Sequence, residues 1–153
     1  MSAQLDVVLC HRRMSEADLD AVMAIENAVY THPWTRGNFV DSLKAGYPCW
    51  VAERAGAIAG YCVVAVAASE AHLLNLTVAG AWQRMGLGSA MLQFAITLAK
   101  ERAAQRIFLE VRVSNLAARA LYARSGFCEI GTRQDYYAAH GGREDARVLE
   151  RVL

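Results

Sequence analysis

Lysine is nearly missing from this chain: Lys44 and Lys100 stand beside fourteen arginines, and fifteen acidic residues bring the formal net charge to +1. The arginines are dispersed rather than gathered into a run or stripe, so no direct nucleic-acid partner is expected. The cysteines Cys10, Cys49, Cys62 and Cys128 lie far apart with no Cys-x-x-Cys pair, which argues for buried free thiols rather than a disulfide framework. His11, His32, His72 and His140 are equally scattered, without the i, i+4 spacing of a zinc site, and no metal is expected. Long apolar runs are also lacking. The longest, Ala55 to Ala68, contains Gly56 and Gly60 and falls short of the ~20 residues that cross a bilayer, so it reads as buried strand and no membrane partner is expected. The stretch Met1 to Asp6 shows no basic segment followed by an apolar one, hence no secretory signal and an expected cytoplasmic location. Repeats, linkers and low-complexity segments are missing too, and a length of 153 residues fits one domain, 1–153, acting as a monomer or weak homo-oligomer.

What is present is organised around one loop. Trp82-Gln83-Arg84-Met85-Gly86-Leu87-Gly88-Ser89 follows the predicted strand His72 to Val78 and precedes Leu87, Met91, Leu92, Ala95 and Leu98, which recur at helical spacing. Glycines in a strand-to-helix turn let backbone approach a ligand closely. The first N–H groups of the helix lack internal partners and favour an anion such as a pyrophosphate. Two glycines alone are equally compatible with a plain turn. Elsewhere, Ser15 with Asp18 caps one predicted helix, and Thr35 opens a second carrying Phe39 and Leu43. Cys49 to Arg54 and Ile58 to Ala67 read as a hairpin continued by the strand from His72. After the loop come a helix to about Arg102, a strand Arg106 to Arg112, a helix Ala117 to Arg124 closed by Gly126, and strands near Phe127 to Arg133 and Ala146 to Leu153. The predicted order is ααβββαβαββ.

Gln83-Arg84-Met85-Gly86-Leu87-Gly88 resembles the acetyl-CoA pyrophosphate loop of the GNAT superfamily of N-acetyltransferases, and Asn115 through Phe127 is similar to that superfamily's second signature. Pro33-Trp34, Leu109-Glu110-Val111-Arg112 with Ser114-Asn115, and Tyr136-Tyr137 followed by Gly142-Arg143-Glu144-Asp145-Ala146 resemble its RimI branch, the ribosomal-protein-alanine N-acetyltransferases. The resemblance covers nearly the whole chain. It departs at Ala79-Gly80-Ala81-Trp82, where the family usually has an Asp-Pro turn and a tyrosine or histidine, so the approach to the loop is expected to differ in detail. The implied fold is α/β, the GNAT acyl-CoA N-acyltransferase fold: a mixed, mostly antiparallel sheet with helices on both faces. The implied co-substrate is acetyl-CoA, and the implied acceptor is the amino-terminal alanine of the eighteenth small-subunit ribosomal protein.

Acetyl transfer from a thioester to an amine requires a deprotonated amine, a stabilised oxyanion and a hydrogen bond or proton for the departing thiolate. Glu110 is a lone carboxylate within Ile107-Phe108-Leu109-Glu110-Val111, an expensive position for an unused charge. Its reference pKa of about 4.3 is low for a base, and partial burial is expected to raise it. From the residues alone, the favoured reading is that Glu110 faces solvent or pairs with Arg112; the resemblance implies the general base, acting directly or through a water. Tyr122 is either a ring packed near Leu121 and Phe127 or, as the resemblance implies, the general acid. A phenol near ~10 facing a thiol near ~8.5 would pay about 2 kcal/mol for full ground-state transfer, so donation has to be helped by charge building on sulfur.

By the same resemblance, Leu76, Thr77 and Val78 bind the pantetheine amides through backbone, with the Val78 N–H serving the oxyanion. Arg84, Met85, Gly86, Leu87, Gly88 and Ser89 form the pyrophosphate cradle. Asn115 contacts the cofactor, caps the helix of Tyr122, or does both. Pro33-Trp34, Tyr136-Tyr137 and the Gly142 to Asp145 turn are candidates for lining the peptide entrance, or are ordinary loop and turn chemistry. An α-amino group near pKa ~8 is roughly a tenth neutral at pH 7, which suits a modest base better than a lysine near ~10.4. Acetylation of lysines or small amines, and a non-catalytic acetyl-CoA-binding module, remain the alternative readings.

Overall fold

The computed structural model describes residues 9–153; Met1 to Asp6, read above as carrying no secretory signal, lies outside the described residues. The elements run β1 (Cys10–Arg13), α1 (Leu19–Val29), α2 (Arg36–Lys44), β2 (Cys49–Arg54), β3 (Ala57–Ala67), β4 (Glu70–Val78), α3 (Leu87–Glu101), β5 (Arg106–Arg112), α4 (Leu116–Arg124), β6 (Cys128–Ala139) and β7 (Gly142–Val152). The strands form one seven-stranded sheet in the order β1-β2-β3-β4-β5-β7-β6, and the mixed, mostly antiparallel α/β architecture expected from the sequence is the one observed.

Local chemistry sets the helix starts. Thr35 accepts the Asn38 N–H through its hydroxyl while the Asn38 side-chain Oδ1 accepts the Thr35 N–H, closing a capping box at α2. Ser15 and Asp18 make the same box over a 3-10 turn before α1. Asn115 Oδ1 accepts the Ala118 N–H at 3.2 Å, the N-cap role expected of it, worth about 1 kcal/mol to α4. That helix closes with Gly126 at φ +86, a left-handed turn that glycine adopts without strain.

Two apolar clusters flank the sheet. One joins Leu19 and Val22 of α1 and Phe39 of α2 to Val51, Tyr61 and Val63. The other joins Leu92, Ala95, Ile96 and Ala99 of α3 to Ile107, Leu109, Val111, Tyr122, Phe127 and Leu149. Every buried side chain of α3 lies on its sheet-facing stripe, and each fully buried Leu, Ile or Met adds roughly 1.5–3 kcal/mol. Gly60 in β3 makes that approach feasible: a Cβ there would lie 2.4 Å from the Thr77 carbonyl oxygen and 2.7 Å from Met91 Sδ of α3.

The feature that positions the site is a break between β4 and β5. They pair in parallel only at Glu70–Arg106, Ala71–Ile107 and His72–Phe108. On the other side of β4, Val63 pairs with Asn75 and Val64 with Leu73, so Leu74 is an extra residue. A bulge bends its strand and increases the twist, and here it falls two residues past the last parallel rung. β4 therefore turns away from β5, which stays paired with β7 along Arg106 to Arg112, and a wedge opens between them.

Four expectations are corrected. β1 precedes the first helix, giving βααβββαβαββ. β6 continues to Ala139, so Gly142 to Asp145 is strand, and the hairpin turns instead at His140-Gly141, with Gly141 at φ +76. All four cysteines are free, but only Cys49 and Cys62 are buried; Cys10 and Cys128 are exposed. Glu110 does not pair with Arg112, whose partner is Glu144 at 3.3 Å.

Candidate active site

The wedge contains a cavity of about 270 Å³ whose walls include Leu73 to Leu76 of β4, Leu109 to Arg112 of β5, and Asn115, Ala118 and Tyr122 at and in α4. Glu26, Tyr30, His32 and Trp34 close it from the α1 side, and Tyr137 from β6. The fold thus brings Glu110 and Tyr122 to one space, together with Leu76 and Asn115.

Glu110 is held rather than free. Its side chain is 6% exposed; Oε2 meets His72 Nε2 at 2.5 Å and Oε1 lies 3.2 Å from Arg133 Nε. Burial pushes the carboxyl up, as expected from the sequence, but the His72 hydrogen bond and charge, together with Arg133, outweigh it and hold the group below the usual carboxylate range. The expected rise is therefore corrected. Tyr122 is buried, packed edge-on against Phe127 at 5.6 Å, and burial pushes its phenol well above the ordinary value. It stays protonated across the working range of pH and is a hydrogen-bond donor before it is an acid.

Sequence reasoning missed a second buried carboxylate, Glu26, 1% exposed. It accepts the Tyr61 hydroxyl at 2.6 Å, the Asn75 amide at 3.3 Å and the Trp34 N–H at 2.9 Å. Thr77 donates to Asn75 Oδ1 at 2.7 Å and its hydroxyl lies 2.7 Å from that of Tyr30. Burial pushes Tyr30 up to about 12. The network ties the loop after α1 to β4, which accounts for Trp34 at the cavity. A carboxylate near the start of a chain beside an apolar run, Ile25-Glu26, was the signal available for it.

The loop between β4 and α3 has the strand-glycine-helix order expected of it. A 3-10 turn, Gly80–Trp82, leads out of β4, and Gln83 Nε2 donates to the Val78 carbonyl at 3.0 Å. Arg84 and Gly86 adopt positive φ, +64 and +79, reversing the chain into α3. Helical pairing starts with the Ala90 N–H on the Gly86 carbonyl at 3.2 Å, so the amides of Leu87, Gly88 and Ser89 precede the ladder. Gly88 faces Leu121 and Val78, where a Cβ would come to 3.4 Å and 3.9 Å. Arg84 and Ser89 are exposed, Leu87 is buried beneath the loop, and Met85 is 50% exposed. Past His72 the edge of β4 that carries Leu76, Thr77 and Val78 faces no paired strand. An open strand edge leading to a glycine-lined helix start fits a long, amide-bearing pyrophosphate ester such as acetyl-CoA. Among the described residues no cluster of three or more His, Cys, Asp or Glu could hold a metal, and no helix is long and apolar enough to cross a membrane.

On β6, Tyr136 and Tyr137 pack edge-on at 4.8 Å, with Arg112 4.5 Å over the Tyr137 ring. The Gly142 to Asp145 stretch braces that strand: Arg143 donates to the Asp135 and Tyr136 carbonyls, and Glu144 accepts from Arg112 and the Ser114 N–H. Tyr137 reaches the cavity, whereas these β7 residues act behind it.

A parallel strand pair that splays past its third rung and leads to a glycine-lined helix start, with a carboxylate and a phenol lining the gap, is the architecture of an acyl-CoA-dependent acyltransferase. The chain belongs to the Acetyltransferase (GNAT) family, which it matches over residues 19–127; it is an acetyl-CoA-dependent N-acetyltransferase of the RimI type. It is 35% identical over 136 residues to the ribosomal protein bS18-alanine N-acetyltransferase of Escherichia coli (strain K12), covering 89% of this chain and 92% of that one. The Haemophilus influenzae enzyme of the same name is 31% identical over 138 residues, 90% of this chain and 94% of its own. The crystal structure of the Escherichia coli ribosomal-protein-S18-alanine N-acetyltransferase superposes with a TM-score of 0.88 at 33% identity, over 95% of this chain and 94% of that one.

Proposed function

We propose that this chain acetylates the amino-terminal alanine of the small-subunit ribosomal protein bS18 in the cytoplasm, with Glu110 as general base and Tyr122 as general acid. The observation that carries the reading is the meeting of both side chains in the one cavity between β4 and β5. The likeness to enzymes named for bS18 supports the acceptor.

Acetyl-CoA supplies an activated carbonyl and a thiolate leaving group. The loop residues Arg84 to Ser89 hold its pyrophosphate through main-chain N–H groups, and the open edge at Leu76, Thr77 and Val78 aligns the pantetheine arm, with the Val78 N–H directed to the oxyanion. Glu110, ionised at neutral pH, draws the acceptor's ammonium into the wedge and takes up a proton from it, directly or through one water, so that nitrogen can attack. A carboxylate held below its usual range is a weak base, so its share of the work is positioning and field as much as proton removal. Tyr122, kept neutral by burial, donates to sulfur as negative charge grows there.

The test is intact-mass detection of transfer to a peptide carrying the bS18 amino terminus from alanine onward, beside the same peptide blocked at its amino terminus and containing a free lysine. Transfer to the free alanine alone, lost in Glu110→Gln, supports both the acceptor and the base. Transfer confined to the lysine would overturn the amino-terminal reading, and full activity in Glu110→Gln would overturn the base.

A further inference from the structure

We propose that His72 is a positioning residue of this site: its imidazole reaches across the closed end of the wedge from β4 and fixes the Glu110 carboxylate of β5 toward the acceptor amine. The inference rests on the reading of Glu110 as base and adds a residue to it. None of the scattered histidines gave a sequence signal for such a role.

The placement follows from strand geometry. His72 and Phe108 form the last parallel rung, and Glu110 lies two residues further, on the same face of β5 as Phe108. Past that rung no β4–β5 backbone pairing limits where a glutamate side chain swings. The His72 ring stacks on Phe108, with centroids 4.3 Å apart and planes 22° apart, and from there its Nε2 meets Glu110 Oε2 at 2.5 Å. With Glu110 ionised, Nε2 carries the hydrogen and donates it. The carboxylate is thus fixed at one oxygen by a ring that is itself pinned by an aromatic neighbour, while the residue still lines the cavity.

Two side chains counter burial and favour the charge on Glu110, His72 from β4 and Arg133 from β6 at 3.2 Å, while the Tyr136 and Tyr137 phenols of β6 also lie within its field. Arg133 is 53% exposed and approaches Glu110 at 3.2 Å, whereas His72 is 25% exposed and meets it at 2.5 Å. His72 is therefore the better-placed constraint. Because it favours the ionised carboxylate while burial opposes it, losing His72 raises the pH at which Glu110 gains its proton.

The experiment measures kcat, KM and the pH dependence of transfer to the free-alanine peptide for wild type, His72→Ala, His72→Gln and Glu110→Gln. His72→Ala is expected to lower kcat by about tenfold, the scale of one lost hydrogen bond to a charged group, with acetyl-CoA KM held within about twofold and the acid limb of the profile moved to higher pH. His72→Gln, whose amide donates to the same oxygen, is expected to recover most of kcat and to move the acid limb less. A merely structural histidine would not shift that limb. If both variants keep the wild-type kcat and limb while Glu110→Gln is inactive, the base stands and the positioning role is overturned. If Glu110→Gln retains wild-type activity, the base reading itself fails, whatever His72 does. Should His72→Ala fail to fold, His72→Leu, which keeps the bulk of the side chain and loses the donor, takes its place: an unmoved limb there overturns the proposal.

Discussion

The Tyr61 hydroxyl donates a 2.6 Å hydrogen bond to Glu26 Oε1 between two fully buried side chains, one on the interior strand β3 and the other on α1. With the Asn75 amide and the Trp34 N–H on the same carboxylate, the contact joins a helix, a loop and two strands at the cavity wall. Glu26→Ala strands three buried donors at once, and a cost of roughly 3–5 kcal/mol is expected. Glu26→Gln keeps one acceptor oxygen and the side-chain volume and should cost about 1–2 kcal/mol. Urea denaturation of the three proteins checks the ordering; equal stabilities for Glu26→Ala and wild type would mean that the network carries no net stability.

Buried phenols and thiols give the fold an alkaline limit. Burial pushes Tyr30 up to about 12, Cys49 up to about 11 and Cys62 up to about 12, and raises Tyr61 and Tyr122 as well. Each folded value exceeds the unfolded one, so the unfolded chain releases protons first. The stability these groups contribute is intact below about 8.5 for the thiols and about 10 for the phenols, and is lost as pH rises through the folded values. Stability is expected to decline from about pH 8.5 and more steeply above about pH 10, by up to about 1.4 kcal/mol per pH unit for each group titrating. Denaturation curves between those pH values measure it. Tyr61→Phe should decline less steeply above about pH 10 while starting lower, through the lost bond to Glu26.

Gly60 is a packing requirement disguised as a flexible residue. Its missing Cβ leaves room for the Thr77 carbonyl at 2.4 Å and the Met91 thioether at 2.7 Å; Met91 can swing away, but the backbone of β4 cannot. Gly60→Ala should cost about 1–3 kcal/mol by overpacking. Because the strain falls on Thr77 and on α3, acetyl-CoA affinity should weaken with it. Calorimetric binding at a temperature where the variant remains folded separates the two effects, and an unchanged Kd would show that β4 had not moved.

Much of this architecture was legible because its signals are local. Ser15 with Asp18, Thr35 ahead of α2, Asn115 ahead of α4, Gly126 after it, and the strand-glycine-helix order around Gly86 each declare themselves within a few residues. β1 did not, because Cys10-His11-Arg12-Arg13 has no apolar alternation and exists as a strand only through its pairing with β2. The extent of β6 was misjudged because Gly142 looks like a turn residue, while Gly141 supplies the positive φ. At the site the carboxylate and phenol could be named, but not what holds them. His72 is 38 residues from Glu110, and Tyr61 and Asn75 are 35 and 49 from Glu26. The direction of the Glu110 shift was misread for that reason: burial is visible in an apolar strand, and counter-charges from two other strands are not.

Tyr122→Phe separates the two roles a buried tyrosine combines. The ring keeps its edge-on contact with Phe127, so thermal stability should change little and acetyl-CoA KM should hold. The donor is lost, and kcat should fall by about tenfold to a hundredfold. Steady-state kinetics beside a melting curve reads both numbers; a kcat within about twofold of wild type would remove Tyr122 from the chemistry and leave it as core.

Gly86 and Gly88 should fail differently, although both belong to one loop. Gly86 has φ +79 with nothing within 4 Å of a built Cβ, so alanine there meets strain rather than a clash, about 1 kcal/mol. The neighbouring Arg84 already tolerates φ +64. Gly88 lies inside α3 with ordinary helical backbone, where alanine favours the helix. Its Cβ would sit 3.4 Å from Leu121 Cδ2 and 3.9 Å from Val78, at the point where the first helical amides face an incoming pyrophosphate. Gly88→Ala is therefore expected to preserve or slightly raise the melting temperature while weakening acetyl-CoA binding by about tenfold or more, and Gly86→Ala to lower both modestly. Melting curves with and without acetyl-CoA make the comparison: ligand should stabilise Gly86→Ala nearly as much as wild type and Gly88→Ala much less. Equal ligand-induced shifts in all three proteins would place the pyrophosphate away from the start of α3.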